Sequence, residues 1–153
     1  MTAYNTSLYA AKQPAANPGF YQVQTHLHAT SPSATFALND TINVGYLPAN
    51  AVVTGISVKA ATQLDSSGSP ALTVDLGIVG TTQLFMAASA LVGRAAGASF
   101  DTTMAAGGKL YKNTTGAAVA VVATIHAAAA TAVAGTLEFE VSFFVEDTVG
   151  SAP

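Results

Sequence analysis

The sequence predicts an all-β fold, an antiparallel jelly-roll-like sandwich of about eight strands preceded by an extended N-terminal arm. Three observations lead to this fold class. Apolar and polar residues alternate along several segments, as they do in strands with one buried face. Clusters of Gly, Pro, Asn and Ser separate these segments at short intervals. The strand–helix alternation that builds parallel sheets does not occur along the chain.

The 153 residues are expected to form one domain with two appendages. We predict an extended arm at residues 1–18, a sandwich at residues 19–147 and a tail at residues 148–153. The arm contains Pro14 and Pro18 and has no repeating apolar pattern. At about 3.3 Å per residue it can reach about 60 Å, whereas the radius of gyration of the domain should be about 15 Å. The arm is therefore long enough to reach a neighbouring subunit.

Three isolated apolar residues of the arm, Tyr4, Leu8 and Tyr9, are candidates for contact with another subunit. A frayed terminus is the alternative interpretation of such a segment. The spacing of these three side chains favours docking, because purely solvated termini have little use for large apolar groups.

The first half of the sandwich is predicted from four patterned segments. The segment at residues 20–28 places His26 and His28 on the polar face of a half-buried strand and Leu27 on the other face. Residues 33–43 form a second extended stretch, and a turn at residues 47–50 follows it. The next strand, at residues 51–60, is expected to place three side chains on one face: Val52, Ile56 and Val58. A loop at residues 65–70 leads to a strand at residues 72–78, whose inward side chains are Leu72, Val74, Leu76 and Ile78.

The second half begins less regularly. A short strand is predicted at residues 82–86, one or two helical turns at residues 87–94 because Ala and Leu favour helix, and a long loop at residues 95–108. Residues 109–112 are expected to open a further strand.

The last two strands have the clearest alternation. In the first, Val119, Val121, Ala123 and Ile125 share a face, and an Ala-rich turn region at residues 127–135 follows. In the second, Leu137, Phe139, Val141, Phe143 and Val145 are expected to face inward. Phe144 lies on the outward face between polar neighbours, and we interpret it as a second candidate contact residue because aromatic side chains often anchor interfaces.

Charge is scarce and excludes several classes of function. Only 8% of the residues are charged, against about 25% in an ordinary soluble domain. A surface with few charges is poorly protected against association, so the composition favours a subunit of an assembly. The few basic residues are scattered, which argues against a nucleic-acid partner. The chain has no Cys. No apolar run is long enough to span a membrane, and the N-terminus does not have the pattern of a secretory signal.

One pair of residues has the spacing of metal ligands. His26 and His28 project from the same face of a strand, as in the HxH motif of the cupin family, and His126 is a candidate third ligand. The Glu that follows this motif in cupins is missing here. The alternatives are two exposed strand histidines or a pH-sensitive contact. We therefore predict no metal and no cofactor.

The acidic residues near the C-terminus allow an enzymatic alternative. Glu138, Glu140 and Glu146 share a face, and paired carboxylates hydrolyse glycosides when they line a cleft. A solvated outer strand face explains the same alternation. The chain has no Trp to hold a sugar and no nucleophile motif. The Gly107-Gly108-Lys109 sequence lacks the rest of a phosphate-binding loop and is interpreted as a turn. We predict no catalytic residues.

Three segments, at residues 47–58, 67–77 and 135–141, are similar to strands and turns of the head decoration, or cement, proteins of tailed bacteriophages. The resemblance covers about residues 36–147. It implies a jelly-roll-like domain that forms a trimer on the outer surface of the capsid and stabilises the shell without chemistry. It also implies an N-terminal part that contacts the capsid or a neighbouring subunit.

The sequence therefore predicts a non-enzymatic virion protein that binds the outside of a phage capsid and stabilises contacts between capsid subunits. Its expected partners are the major capsid protein and further copies of itself in a homotrimer. The alternatives are a receptor- or carbohydrate-binding β module of a phage tail or fibre, in which Tyr46 and Tyr111 would stack on sugars, and a cupin-like metalloenzyme.

Overall fold

Eight antiparallel strands form the described part of the chain, which is residues 24–146 of a computed structural model. The strands are β1 (Thr25–Thr30), β2 (Thr41–Leu47), β3 (Ala51–Ala60), β4 (Thr73–Ile78), β5 (Thr81–Ser89), β6 (Ser99–Asp101), β7 (Val119–Ala127) and β8 (Leu137–Val145). A single 3₁₀ turn occupies Ala106–Gly108. The predicted arm at residues 1–18, with Tyr4, Leu8 and Tyr9, and the predicted tail at residues 148–153 lie outside the described residues.

The strands form two four-stranded sheets with the order of a jelly roll. Sheet I has the order β1-β8-β3-β6, and sheet II has the order β2-β7-β4-β5. The first strand pairs with the last, the second with the seventh, the third with the sixth, and the fourth with the fifth. This nesting is that of a long hairpin wound into two facing sheets, which is the double Greek key of a jelly roll. The predicted fold class is confirmed.

The core lies between the two sheets and follows the alternation of the strands. Leu27 on β1 and Phe139, Val141 and Phe143 on β8 face it from sheet I, and sheet II contributes Val74 among others. Phe85 of β5 is fully buried and meets the Tyr111 ring edge to face at a centroid distance of 5.7 Å. The inward positions predicted for β1, β4 and β7 are correct. Val145, which was expected to face inward, is 47% exposed because it ends β8 at the rim of the sandwich.

A β-bulge in β3 places Val52 on a different face from the one predicted. The pairing of β3 with β8 shifts register between Val53 and Gly55. An extra residue reverses the side-chain alternation beyond it, so the core residues before the bulge are Ala51 and Val53 and those after it include Ile56. Val52 therefore lies on the opposite face from Ile56 and Val58, contrary to the prediction.

Four further predictions, all in or beside the loops, need correction. Residues 87–94 form no helical turn; β5 continues to Ser89, because its edge pairing with β4 outweighs the helix propensity of Ala. The predicted extended stretch at residues 33–43 has one isolated bridge, at Ala34, and β2 begins only at Thr41. Residues 109–110 form a turn with Leu110 at φ 56°, and of the strand predicted at residues 109–112 only an isolated bridge at Lys112 forms. The predicted loop at residues 95–108 contains β6.

The connections cluster at two ends of the sandwich. We call one the entry end: it contains the start of β1, the end of β8, the turns at residues 48–50 and 79–80, and the loop at residues 102–118. The far end contains the other four connections, at residues 31–40, 61–72, 90–98 and 128–136. The described chain both begins and finishes at the entry end.

Candidate interaction surfaces

The outer face of sheet I carries most of the charge of the strands, and we call it the charged face. Lys59 Nζ lies 3.2 Å from Glu138 Oε2, and His26 Nδ1 lies 3.0 Å from Glu140 Oε1. His28 stands opposite Glu140 on the neighbouring strand. These side chains are largely exposed, and pairs of this kind contribute little to stability. The predicted outward orientation of His26, His28, Glu138 and Glu140 is confirmed.

The charged face does not have the geometry of a Ser–His–acid relay, and its described residues do not form a metal-ligand group. Ser142 Oγ lies 2.9 Å from His26 Nδ1, the same nitrogen that Glu140 approaches. A Ser–His–acid relay needs the hydroxyl and the carboxylate on different ring nitrogens. Within residues 24–146 no group of three His, Asp or Glu side chains is arranged to hold a metal ion. His126, the candidate third ligand, lies on the other sheet.

Phe144 lies on the charged face at the end of β8 and is half-buried. Its register partner on β3 is Val52. Glu146, which follows Phe144 on the same face, forms an ion pair with Lys112 at 2.5 Å. The backbone of Lys112 forms an isolated β-bridge with Val52. Phe144 is therefore partly covered within a single chain, and its outward orientation agrees with the prediction.

The outer face of sheet II is nearly free of charge, and we call it the neutral face. Its four strands carry one acid and one histidine, Asp75 and His126. These two pair with each other, His126 Nδ1 lying 3.0 Å from Asp75 Oδ2. The remaining outward positions hold Thr, Ala, Val and amide side chains, for example Asn43 opposite Val122, together with Tyr46 near the end of β2. The charges of the sandwich strands are thus concentrated on one of its two faces.

Asp75 organises the centre of the neutral face. Its carboxylate accepts hydrogen bonds from the Ala88 backbone N–H at 2.6 Å and from Gln83 Nε2 at 3.1 Å, besides the contact with His126. These bonds join β4, β5 and β7, and they hold Ala88 in a backbone conformation with φ 45°. The buried hydroxyls of Thr73 and Thr124 have no hydrogen-bond partner in the protein. The hydrogen bonds of Asp75 therefore hold strands β4, β5 and β7 together.

Asp65 accepts five hydrogen bonds from the backbone, and the sequence pattern did not single it out. It is fully buried at the far end. Burial disfavours its charge, but five backbone N–H groups donate to the carboxylate, and four of them, those of Thr131, Ala130, Ala71 and Leu72, hold its pKa well below the usual range. The donors belong to Thr131, Ala130, Ala71, Leu72 and Ser67, at 2.7–3.2 Å. Asp65 thereby fixes the β3–β4 loop to the β7–β8 loop.

Asp101 and Asn113 stabilise the β6–β7 loop at the entry end. Asp101 is buried, which raises its pKa, but hydrogen bonds from the Ser89 hydroxyl and the Thr103 backbone outweigh burial and lower the pKa. Asn113 donates to the carbonyls of Leu47 and Ala117 and ties the β6–β7 loop to the β2–β3 turn. These hydrogen bonds give both residues a structural role.

The Gly107-Gly108-Lys109 segment is a packed turn, as predicted. A Cβ atom at Gly108 would come within 2.5 Å of the Leu84 carbonyl oxygen and 2.8 Å of Phe85 Cα. The glycine therefore permits the loop to lie directly against β5. This close approach explains the glycine without a bound phosphate.

Four large apolar side chains are exposed around the entry end, and we call them the entry-end set: Tyr46, Val79, Leu110 and Val145. They are 56%, 66%, 69% and 47% exposed. Tyr46 and Val79 both flank Ala120, since Tyr46 is its register partner and the Val79 N–H donates to its carbonyl at 3.2 Å. Leu110 precedes Tyr111, whose carbonyl accepts from Val53 of β3, and Val145 pairs with Ala51 of β3. Sequence alternation did not single out this set, because most of its members lie in turns or at strand ends.

The fold is similar to that of two solved chains. One is a chain of the cyanophage Pam1 capsid asymmetric unit, with a TM-score of 0.69 and 23% identity over 89% of this chain and 94% of that chain. The other is a chain of the capsid of Ralstonia phage GP4, with a TM-score of 0.65 and 24% identity over 92% of each chain. No protein-family model and no curated protein sequence matches this chain. At these identities the likeness establishes the jelly-roll fold. Among residues 24–146 no helix has the length and apolar character needed to cross a membrane.

Proposed function

We propose that this chain is a non-enzymatic structural protein of a tailed-phage virion, where it binds the outside of the capsid and stabilises contacts between capsid subunits. The single observation that carries the proposal is the shared jelly roll, which extends over about nine-tenths of this chain and of chains from two phage capsids. The partners are the major capsid protein and further copies of this chain in a homotrimer.

The surface supports an assembly role. The neutral face and the entry-end set leave large areas with no charge to oppose association. The exposed apolar residues are the kind of groups that interfaces bury. Binding at many symmetry-related positions multiplies weak contacts, so that strong attachment to a shell needs no single high-affinity site.

The predicted contact residues are assigned as follows. The arm, with Tyr4, Leu8 and Tyr9, contacts the capsid or a neighbouring copy, and Phe144 contributes to packing between copies. Phe144 is half-buried on the rim of the charged face, so a neighbouring subunit that covers this rim removes its remaining exposed ring area from water. Replacement of Phe144 by Ser should weaken self-association and leave the fold intact.

Two measurements test the proposal. Light scattering on a sizing column should give the mass of three chains. Purified chain should also co-sediment with heads of the encoding phage that lack it, and those heads should withstand a higher temperature after it is added. Failure to sediment with such heads would contradict capsid binding. Specific binding to a glycan array would instead support the receptor- or carbohydrate-binding alternative.

A further inference from the structure

We propose that the entry-end set is a docking site for the N-terminal segment, residues 1–23, of a neighbouring copy of this chain. The inference rests on the proposed self-association and names the surface and the segment that would mediate it. The docked segment would cover Tyr46, Val79, Leu110 and Val145, which a single sandwich leaves largely exposed.

The position of the set is the first argument. Thr25, the first residue of β1, pairs with Phe143, two residues before Val145. Strand β1 also packs beside β2, whose end carries Tyr46. The N-terminal segment therefore leaves each copy at the end of the sandwich that carries the apolar set.

The length of the segment is the second argument. The 23 residues before Gln24 reach about 75 Å when extended, at about 3.3 Å per residue. The entry end is about four strands wide, or about 15–20 Å at the spacing of paired strands. A segment that covered only its own entry end would need about a quarter of this length. The excess is sufficient to cross from one copy to the next.

The composition of the segment is the third argument. Residues 1–23 contain five large aromatic or aliphatic side chains besides Met1 and Val23: Tyr4, Leu8, Tyr9, Phe20 and Tyr21. The only charged residue is Lys12. The set on the sandwich is likewise apolar. Two charged groups close to it, Lys112 and Glu146, are paired with each other, and Lys109 is the exposed neighbour of Leu110 in the chain. Apolar side chains on both partners gain free energy when they are buried together.

Site-specific photo-crosslinking tests the proposal. A photoreactive residue is introduced at Leu110 in the full chain, and Leu91, which is 59% exposed at the far end, serves as the matched control position. The substituted chain is mixed in denaturant with an equal amount of isotopically heavy, unsubstituted chain, and the mixture is refolded and irradiated. Trypsin cleavage after Lys12 releases residues 1–12 as a separate peptide. We expect the heavy form of this peptide to be linked to the probe at Leu110 and not to the probe at Leu91.

Each alternative outcome has its own meaning. Links only to the light form would place the segment on its own chain and overturn the proposal, as would links only to residues outside 1–23 or no links at all. A heavy link to residues 13–23, which trypsin releases in the peptide 13–59, supports it as a link to residues 1–12 does. Light scattering on the same sample separates these failures from failure of self-association, since a trimer without the expected link overturns only the docking site.

Substitutions provide a second readout. Leu110→Asn suits its backbone, because Asn tolerates φ 56°. Val79→Asp places a charge at a turn residue that is 66% exposed in a single sandwich. Each should raise the dissociation constant for self-association about tenfold or more, as expected from the loss of one buried apolar side chain. Leu91→Asp should not change it. Equal effects at the two ends would contradict the assignment.

Discussion

Three of the eight acidic residues, Asp65, Asp75 and Asp101, are buried and hold backbone segments together. Arg94 has a similar role, since its guanidinium donates to the carbonyls of Leu72 and Ala71. The few charged groups of the chain are therefore not all at the surface. The solvent-exposed surface is even more neutral than the composition alone indicates.

Replacement of Asp65 by Asn should destabilise the sandwich strongly. The amide NH₂ group would face backbone N–H donors, and several of the five bonds would be lost. We expect a loss of about 3 kcal/mol or more in the free energy of unfolding, since buried donors would be left unpaired. Urea unfolding at neutral pH measures this loss. Asp40→Asn, at an exposed residue that accepts one bond from Ala37, is the control and should cost less than about 1 kcal/mol.

The same carboxylate makes stability depend on pH. The pKa of Asp65 is lower in the folded chain than the value of about 4 expected when unfolded. Its contribution is thus complete above about pH 5 and is lost as the pH falls below about 4. The Asn variant should show a shallower fall in stability between about pH 5 and pH 2. Parallel curves for the two proteins would contradict the role of Asp65 charge.

At the scale of elements, the alternation of apolar and polar residues predicts the strands, but it does not predict where a bulge or a strand end interrupts that alternation. The pattern of β7 and β8 gave their inward faces correctly, except at Val145. The bulge of β3 was missed because every residue from Ala51 to Val53 is apolar, so the residue types do not indicate which side chain faces the core. The prediction of helical turns at residues 87–94 was wrong because it rested on local helix propensity alone. Pairing of β5 with β4 determines the structure there as far as Ser89.

The candidate surfaces were less predictable than the strands. Phe144 was recognised because it interrupts a polar face. The neutral face and the entry-end set depend on which strands become neighbours, and sequence order does not reveal this in a jelly roll. Asp65 was missed for the same reason, since its donors Ala130 and Thr131 lie 65 residues or more along the chain.

Gly77 tests the close approach of β4 and β5 at the hairpin. A Cβ atom there would come within 2.2 Å of the Thr81 carbonyl oxygen and 2.6 Å of the Thr82 backbone. Gly77→Ala should therefore displace the β5 backbone and cost about 1–3 kcal/mol, as overpacking does. Gly68→Ala is the control, because no atom lies within 4 Å of its added Cβ. If the two variants have the same melting temperature, the β4–β5 hairpin accommodates the added methyl group without loss of stability.

At the scale of the whole molecule, the distribution of charge predicts how self-association responds to salt. Raising the ionic strength from about 0.1 M to 1 M shortens the Debye length from about 10 Å to about 3 Å and screens exposed ion pairs. Contacts made by the neutral face and the entry-end set should persist. The mass from light scattering should therefore be the same at both salt concentrations. Dissociation at high salt would instead assign the contact to the charged face.

Removal of residues 1–18 separates folding from assembly. The core lies within residues 24–146, where both sheets close over it, so the shortened chain should keep its circular dichroism spectrum and melting temperature. If residues 1–18 link copies, the same chain should lose mass by light scattering and lose attachment to phage heads. Removal of residues 148–153 is the control and should change neither property. A shortened chain that still forms trimers would assign self-association to the sandwich faces, and Phe144→Ser would then be the next variant to measure.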